Sequence, residues 1–130
     1  MTTKKKIVFV VNPISGTQGK RSILQWIDER INRALYDYTI VKTQYAGHAE
    51  KIAAEAAGEK VDIVVAIGGD GTINEIGRAL IHTDTALGII PCGSGNGLAR
   101  HLQIPMEPKA AIDIINEGSV ACIDYGKINN

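Results

Sequence analysis

The amino-acid sequence predicts an α/β fold, three layers α/β/α around a mostly parallel sheet. Two observations carry this. Short apolar, β-branched runs alternate with segments whose apolar residues recur at helical spacing, giving a βαβαβαβαβ order. The strand runs are apolar throughout, as in parallel strands covered on both faces. A third observation concerns use. Several strands end in polar, glycine-rich turns, and in such sheets ligands bind beyond the carboxyl ends of the strands.

Ile7 to Asn12 reads as the first strand and ends in the turn Asn12-Pro13-Ile14-Ser15-Gly16. From Gly19 to Leu35, Ile23, Ile27, Ile31 and Leu35 recur every four residues, the pattern of an amphipathic helix. Trp26 lies beside them and is assigned to the core or its margin. Tyr38 to Thr43 is the second strand. Gly47 to Ala57 carries Ala49, Ile52, Ala53 and Ala56 at helical spacing, with Gly58 as the stop. Ile63 to Ile67 is the third strand and breaks into Gly68-Gly69-Asp70-Gly71. Thr72 then opens a helix, with Glu75 at capping-box distance. Ala86 to Ile90 is the fourth strand, running into Pro91-Cys92-Gly93-Ser94-Gly95-Asn96-Gly97. A short helix is expected over 98–102, another from Pro108 to just before Gly118, and a last strand over 120–123.

The third strand and its helix organise the rest. A strand that stops in glycines and turns into a helix presents bare backbone N–H groups at the positive end of a helix dipole, which suits a phosphate. Asp70 adds a carboxylate inside that loop. Beside phosphates it can hold a divalent cation, take a proton from a nucleophile, or simply cap the helix that follows. Three glycine-rich loops, 12–16, 68–72 and 93–97, share one edge of the sheet, and Thr43 with Gly47 and His48 joins them. Together they point to a pocket for a polyanion.

Composition narrows the classes. The chain has 130 residues, 45% hydrophobic and 22% charged, enough for one domain with a real core. Fourteen basic and fourteen acidic residues cancel, so no basic excess favours nucleic acid. No apolar run approaches the roughly 20 residues that span a bilayer. The basic start and the run Ile7 to Val11 do not make a signal peptide. Cys92 and Cys122 form no metal or redox spacing, and a cytoplasmic location is the expectation. Lys4 to Lys6 and Lys20-Arg21 are assigned to solvated surfaces, and His82 and His101 likewise. Cys92 is a small filler, and His48 either touches a phosphate or serves the helix start.

Two common nucleotide motifs do not fit. In 16–21 the final Ser/Thr of a Walker A loop would fall on Arg21 and its first glycine on Ile14. Gly93, Gly95 and Gly97 alternate without the third spacing of a dinucleotide fingerprint.

GGDGTINE at 68–75, NPISG at 12–16, PCGSGNGLAR at 91–100 and AGHA at 46–49 resemble the diacylglycerol kinase catalytic-domain family, in the family's order, from Lys6 to Asn130. The family includes bacterial lipid kinases, sphingosine kinases and ceramide kinases and is distantly related to NAD kinases. The resemblance implies transfer of the ATP γ-phosphate to a lipid hydroxyl, with Mg2+. By position it implies that Asn12, Ser15, Gly16 and Thr43 contact the nucleotide. Gly68, Gly69, Asp70, Gly71, Thr72 and Asn74 would hold phosphates, and Ser94, Gly95 and Asn96 would complete the pocket. Asp70 matches the acidic residue given base or metal-linked work, and Glu75 supports the loop. Gly97 stands where many bacterial members carry Asp, which looks more like the sphingosine kinase branch and leaves the lipid open. The resemblance also implies a second, β-rich domain that forms the lipid pocket. Residues 124–129 look like its entry, so the chain reads as an ATP-binding half, inactive alone, that meets its lipid acceptor at the inner membrane face through that further domain. Apolar surface exposed without it would favour a homodimer. The alternatives are an NAD-kinase-like phosphotransferase, a non-catalytic nucleotide-binding module, and a dinucleotide-fold oxidoreductase.

Overall fold

The computed structural model describes residues 4–12, 19–68, 70–91, 112–113 and 122–123. Its elements run β1 (Lys5–Val11), α1 (Gly19–Arg30), β2 (Tyr36–Lys42), α2 (His48–Gly58), β3 (Ile63–Gly68), α3 (Asp70–Leu80), β4 (Ala86–Pro91) and β5 (Cys122–Ile123). The sheet order is β2-β1-β3-β4-β5. β1 pairs in parallel with β2 and β3, and β3 in parallel with β4. β5 is antiparallel to β4, through Leu87 opposite Ile123 and Gly88 opposite Cys122. The alternation of elements leads one to expect a parallel fifth strand; the two-residue β5 instead makes the sheet mostly, not wholly, parallel.

The chain order makes a switch point. β1 connects outward to β2, then the chain crosses back over β1 to β3 and continues to β4. Right-handed crossovers therefore place α1 on one face and α2 with α3 on the other. The side chains agree. Arg78 of α3 donates from Nε and Nη2 to Glu50 Oε1 of α2, at 3.2 and 3.1 Å. Arg30 at the end of α1 donates to both carboxylate oxygens of Asp113 at 3.1 Å, so the helical residues 112–113 share the α1 face. Beside Asp113, Ile112 is fully buried.

β3 is the centre of the core, buried at all six positions. That follows from its apolar sequence, IVVAIG, which has no polar face to offer water. Ile7, Phe9 and Val11 of β1 and Leu87, Ile89 and Ile90 of β4 are buried beside it. Ala49, Ala53 and Ala56 bury the inner stripe of α2. Trp26 is half-buried against the core margin. At the amino edge the strands are locked in register. The Lys6 N–H donates to Asp62 Oδ2 at 2.7 Å, and the Asp62 N–H returns to the Lys6 carbonyl. The buried Thr85 hydroxyl donates to the Val61 carbonyl at 2.7 Å. With that edge tied down, the opposite edge is where the loops open.

Several boundaries differ from expectation. α1 stops at Arg30, not Leu35. The Tyr36 and Leu35 amides turn back onto the Asn32 carbonyl, which leaves Leu35 47% exposed. α2 runs through Gly58, and the left-handed residue is Lys60 (φ 61°). Thr72 does not open α3. The helix starts at Asp70, which makes Thr72 its third residue. The 72–75 pair is therefore inside the helix, not a capping box, and Asp70 is a first-turn residue, not the cap. β2 begins at Tyr36, two residues early, and ends just before Thr43. The helix expected over 98–102 and the stretch around Pro108 and Gly118 lie outside the described residues.

Candidate functional site

The carboxyl ends of β1 and β3 are neighbours, with Val11 opposite Ile67. This is where the chain order reverses, and a crevice opens beyond it. The cleft there has a volume of about 180 Å³ and is lined by Asn12, Thr43, Tyr45, Ala46, Ala49, Thr72 and Glu75.

Each lining residue is placed by an identifiable local cause. Asn12 directly follows the last residue of β1. Thr43 directly follows β2, and its N–H donates to the Val11 carbonyl at 2.9 Å, which carries the β1–β2 ladder one step past the strands. Thr43 is buried, at 8% exposure. Tyr45 and Ala46 form the turn into α2, where Gly47 takes the N-cap position with φ 88°. Only glycine enters that left-handed region without strain. Thr72 is packed over the end of β3. A Cβ on Gly68 would stand 3.2 Å from Thr72 Oγ1 and 3.3 Å from its Cβ, so the glycine is what lets α3 start so close to the strand. Glu75 follows Thr72 by one turn and is half-buried.

Gly71 has a different surrounding. Among the described residues, a Cβ there would meet nothing within 4 Å beyond its own helix backbone and chain neighbours. It lies in the first turn of α3, where main-chain N–H groups have no partner within the helix.

His48 has a definite job in the turn. Its Nδ1 accepts from the Gln44 N–H at 2.9 Å, which places any single ring proton on Nε2. The His48 N–H donates to the Tyr45 carbonyl at 3.1 Å. The Tyr45 and His48 rings stack, with centroids 4.4 Å apart and planes 14° from parallel. His48 thus ties residues 44–48 into one unit.

Of the residues expected to share a pocket, the structure brings Asn12, Thr43, Thr72 and Glu75 together on this cleft, beside Gly68 and Gly71. Asp70 begins α3 at the same strand end; its carboxylate is outside the described part. Asn74 lies on α3 and is exposed. Ser15, Gly16, Gly69, Ser94, Gly95 and Asn96 lie outside the described residues, as do Cys92 and His101. His82 is exposed. Tyr45 escapes sequence reasoning, because a single tyrosine in a short connection has no periodicity to mark it. Among the described residues, no three His, Cys, Asp or Glu side chains gather into a metal site. The donors that line the cleft are oxygens, from Glu75, Thr72, Thr43 and Asn12, the type that suits a hard cation such as Mg2+.

Residues 6–128 match the model of the diacylglycerol kinase catalytic domain. The chain belongs to the diacylglycerol kinase catalytic-domain family. Among its relatives, a diacylglycerol kinase from Bacillus subtilis strain 168 is 39% identical over 129 residues, covering 96% of this chain and 42% of the relative. One from Staphylococcus saprophyticus is 33% identical, covering 98% and 42%. A crystal structure of a diacylglycerol kinase from Bacillus anthracis strain Sterne superposes with a TM-score of 0.76 at 30% identity, over 92% of this chain and 41% of that one. The chain therefore spans about two fifths of the length of the relatives it matches. As a family member, it has the α/β fold of those diacylglycerol kinases, and its cleft sits at the switch point of that fold. No helix among the described residues is long and apolar enough to cross a membrane.

Proposed function

We propose that this domain binds ATP for a lipid kinase, which transfers the γ-phosphate to a hydroxyl of diacylglycerol or a related lipid. One observation carries the proposal. Asn12, Thr43 and the pair Thr72 and Glu75 come from three separate stretches of sequence and line a single cleft at the start of α3. The names of the relatives set the reaction class. Gly71 adds support: among the described residues no side chain requires a glycine there, while a phosphate approaching the main chain would.

In this proposal the phosphates lie against the first turn of α3, held by its N–H groups and the helix dipole. Thr72 and Thr43 hydroxyls orient the nucleotide. Bound Mg2+ neutralises charge on the phosphates, which is most of what phosphoryl transfer asks of a protein. Asp70, with Glu75 close by along the helix, is the residue proposed to hold the ion through water or to accept the lipid hydroxyl proton. The lipid pocket, and the approach to the inner membrane face, are assigned to residues beyond those matched here. The domain by itself is accordingly expected to bind ATP without turning over lipid.

The deciding experiment is Asp70→Asn in the full-length protein. Lipid phosphorylation is expected to fall by at least about 100-fold, the usual worth of a proton-transferring group, with ATP affinity little changed. Full activity in that variant refutes the role. Phosphorylation of NAD in place of lipid by the full-length protein would move it to the NAD-kinase-like class.

A further inference from the structure

We propose that Tyr45, its ring held by His48, is the residue on which the nucleotide base stacks. The inference rests on the ATP-binding proposal and names a residue, Tyr45, that no sequence motif marks.

Tyr45 is one of two large hydrophobic side chains left strongly exposed among the described residues, at 53%. The other, Leu35, is in the turn after α1, whereas Tyr45 lines the cleft. A loop tyrosine left half in water is usually free to swing. Here it is held. Its ring lies parallel to the His48 ring at 4.4 Å. His48 is fixed in turn by the bond from the Gln44 N–H to Nδ1 and by its own N–H on the Tyr45 carbonyl. The unit is anchored at one end by Thr43 on Val11 and at the other by the N-terminus of α2. A flat, preordered aromatic at the mouth of a polar cleft loses little freedom when a second flat ring covers it.

The lining of the cleft bears on its other end. Thr72 and Glu75 line it on the α3 side, where the phosphates are proposed to lie, and Tyr45 and Ala46 line it on the α2 side. Ala46 and Ala49 are small, which leaves room beside the tyrosine for a planar ring. A ligand with an anionic end and an aromatic end fits both. Stacking reads the face of a base and not its edge, so this platform would accept guanine nearly as well as adenine.

The test compares two probes, ATP and inorganic tripolyphosphate, by calorimetric titration of the full-length protein, its Tyr45→Ala variant and its Tyr45→Phe variant. Tyr45→Ala is expected to weaken ATP about 10-fold, within the range for removal of one base-stacking aromatic, and to leave tripolyphosphate unchanged. Tyr45→Phe should keep ATP affinity. Unchanged ATP affinity in Tyr45→Ala overturns the stacking role while leaving nucleotide binding intact. An equal loss for ATP and tripolyphosphate also overturns it, since the tyrosine would then be supporting the loop. Failure of the unsubstituted protein to bind ATP at all sinks the ATP proposal first, and this inference with it.

Discussion

Gly68 ends β3 and Gly71 lies three residues on in the first turn of α3, and they are glycines for opposite reasons. At Gly68 the space is already taken by Thr72, 3.2 Å from where a Cβ would sit. Gly68→Ala should push α3 away from β3 and cost roughly 1–3 kcal/mol, as overpacking usually does, visible as a lower urea midpoint. At Gly71 the space is open, so Gly71→Ala should stabilise the fold by about 0.4–1 kcal/mol through a less flexible unfolded chain. If a phosphate is held there, the same variant loses about tenfold in ATP affinity, the worth of one hydrogen bond to a charged group. A more stable Gly71→Ala protein that binds ATP as before would show that the loop's main chain is not the phosphate contact. Tyr38 makes a separate point. Burial raises its pKa above the ordinary 10.0, and its hydrogen bond to Asp28 acts in the same direction. The unfolded chain therefore sheds this proton first. Tyr38's contribution to stability is whole below pH 10.0 and is lost as the pH climbs through the raised folded value. Urea midpoints measured above pH 10.0 should fall less steeply in Tyr38→Phe than in the parent.

Among the elements, α2 and α3 line the cleft, and their placement depends on small residues and on one turn. Gly47 caps α2 with φ 88°, and among the described residues a Cβ there would touch nothing. The cost of Gly47→Ala is thus purely conformational, about 1–2 kcal/mol. Because the turn also holds Tyr45 and His48, circular dichroism melts and ATP titrations should both worsen. By contrast, the Glu50–Arg78 pair that joins the two helices is exposed, with 48% and 62% of the side chains open to water. Removing it with Arg78→Ala should cost at most about 1 kcal/mol. What holds α2 down is the buried stripe of Ala49, Ala53 and Ala56, where the helix backbone comes close to its neighbours. Element boundaries were the least legible part of the sequence. The four-residue isoleucine spacing runs on to Leu35, but the chain turns at Asn32, and the periodicity cannot register a turn whose next residue happens to be apolar.

At the scale of the whole molecule, fourteen positive and fourteen negative side chains leave a pI near 6.8. A protein with no net charge has little repulsion to keep copies apart. Light scattering of concentrated solutions is therefore expected to peak near pH 6.8 and to fall about two units to either side. A flat profile would point to association through a defined apolar face instead.

The α/β class, the order of the first four strands and the three helices between them, and the glycine-rich passage from β3 to α3 follow from local sequence alone. Short β-branched runs bounded by turns read as buried strands, and glycines between a strand and a helix mark where the chain turns. The sheet order β2-β1-β3-β4-β5, and with it the switch point, comes only from the folded chain. So do the shared cleft of Asn12, Thr43, Thr72 and Glu75, the opposite demands at Gly68 and Gly71, and the stacked Tyr45. The physical reason is the range of the interactions. Propensity and periodicity are written within one turn or one strand, whereas a cleft is a coincidence of strand ends far apart in the chain, and only packing brings them together.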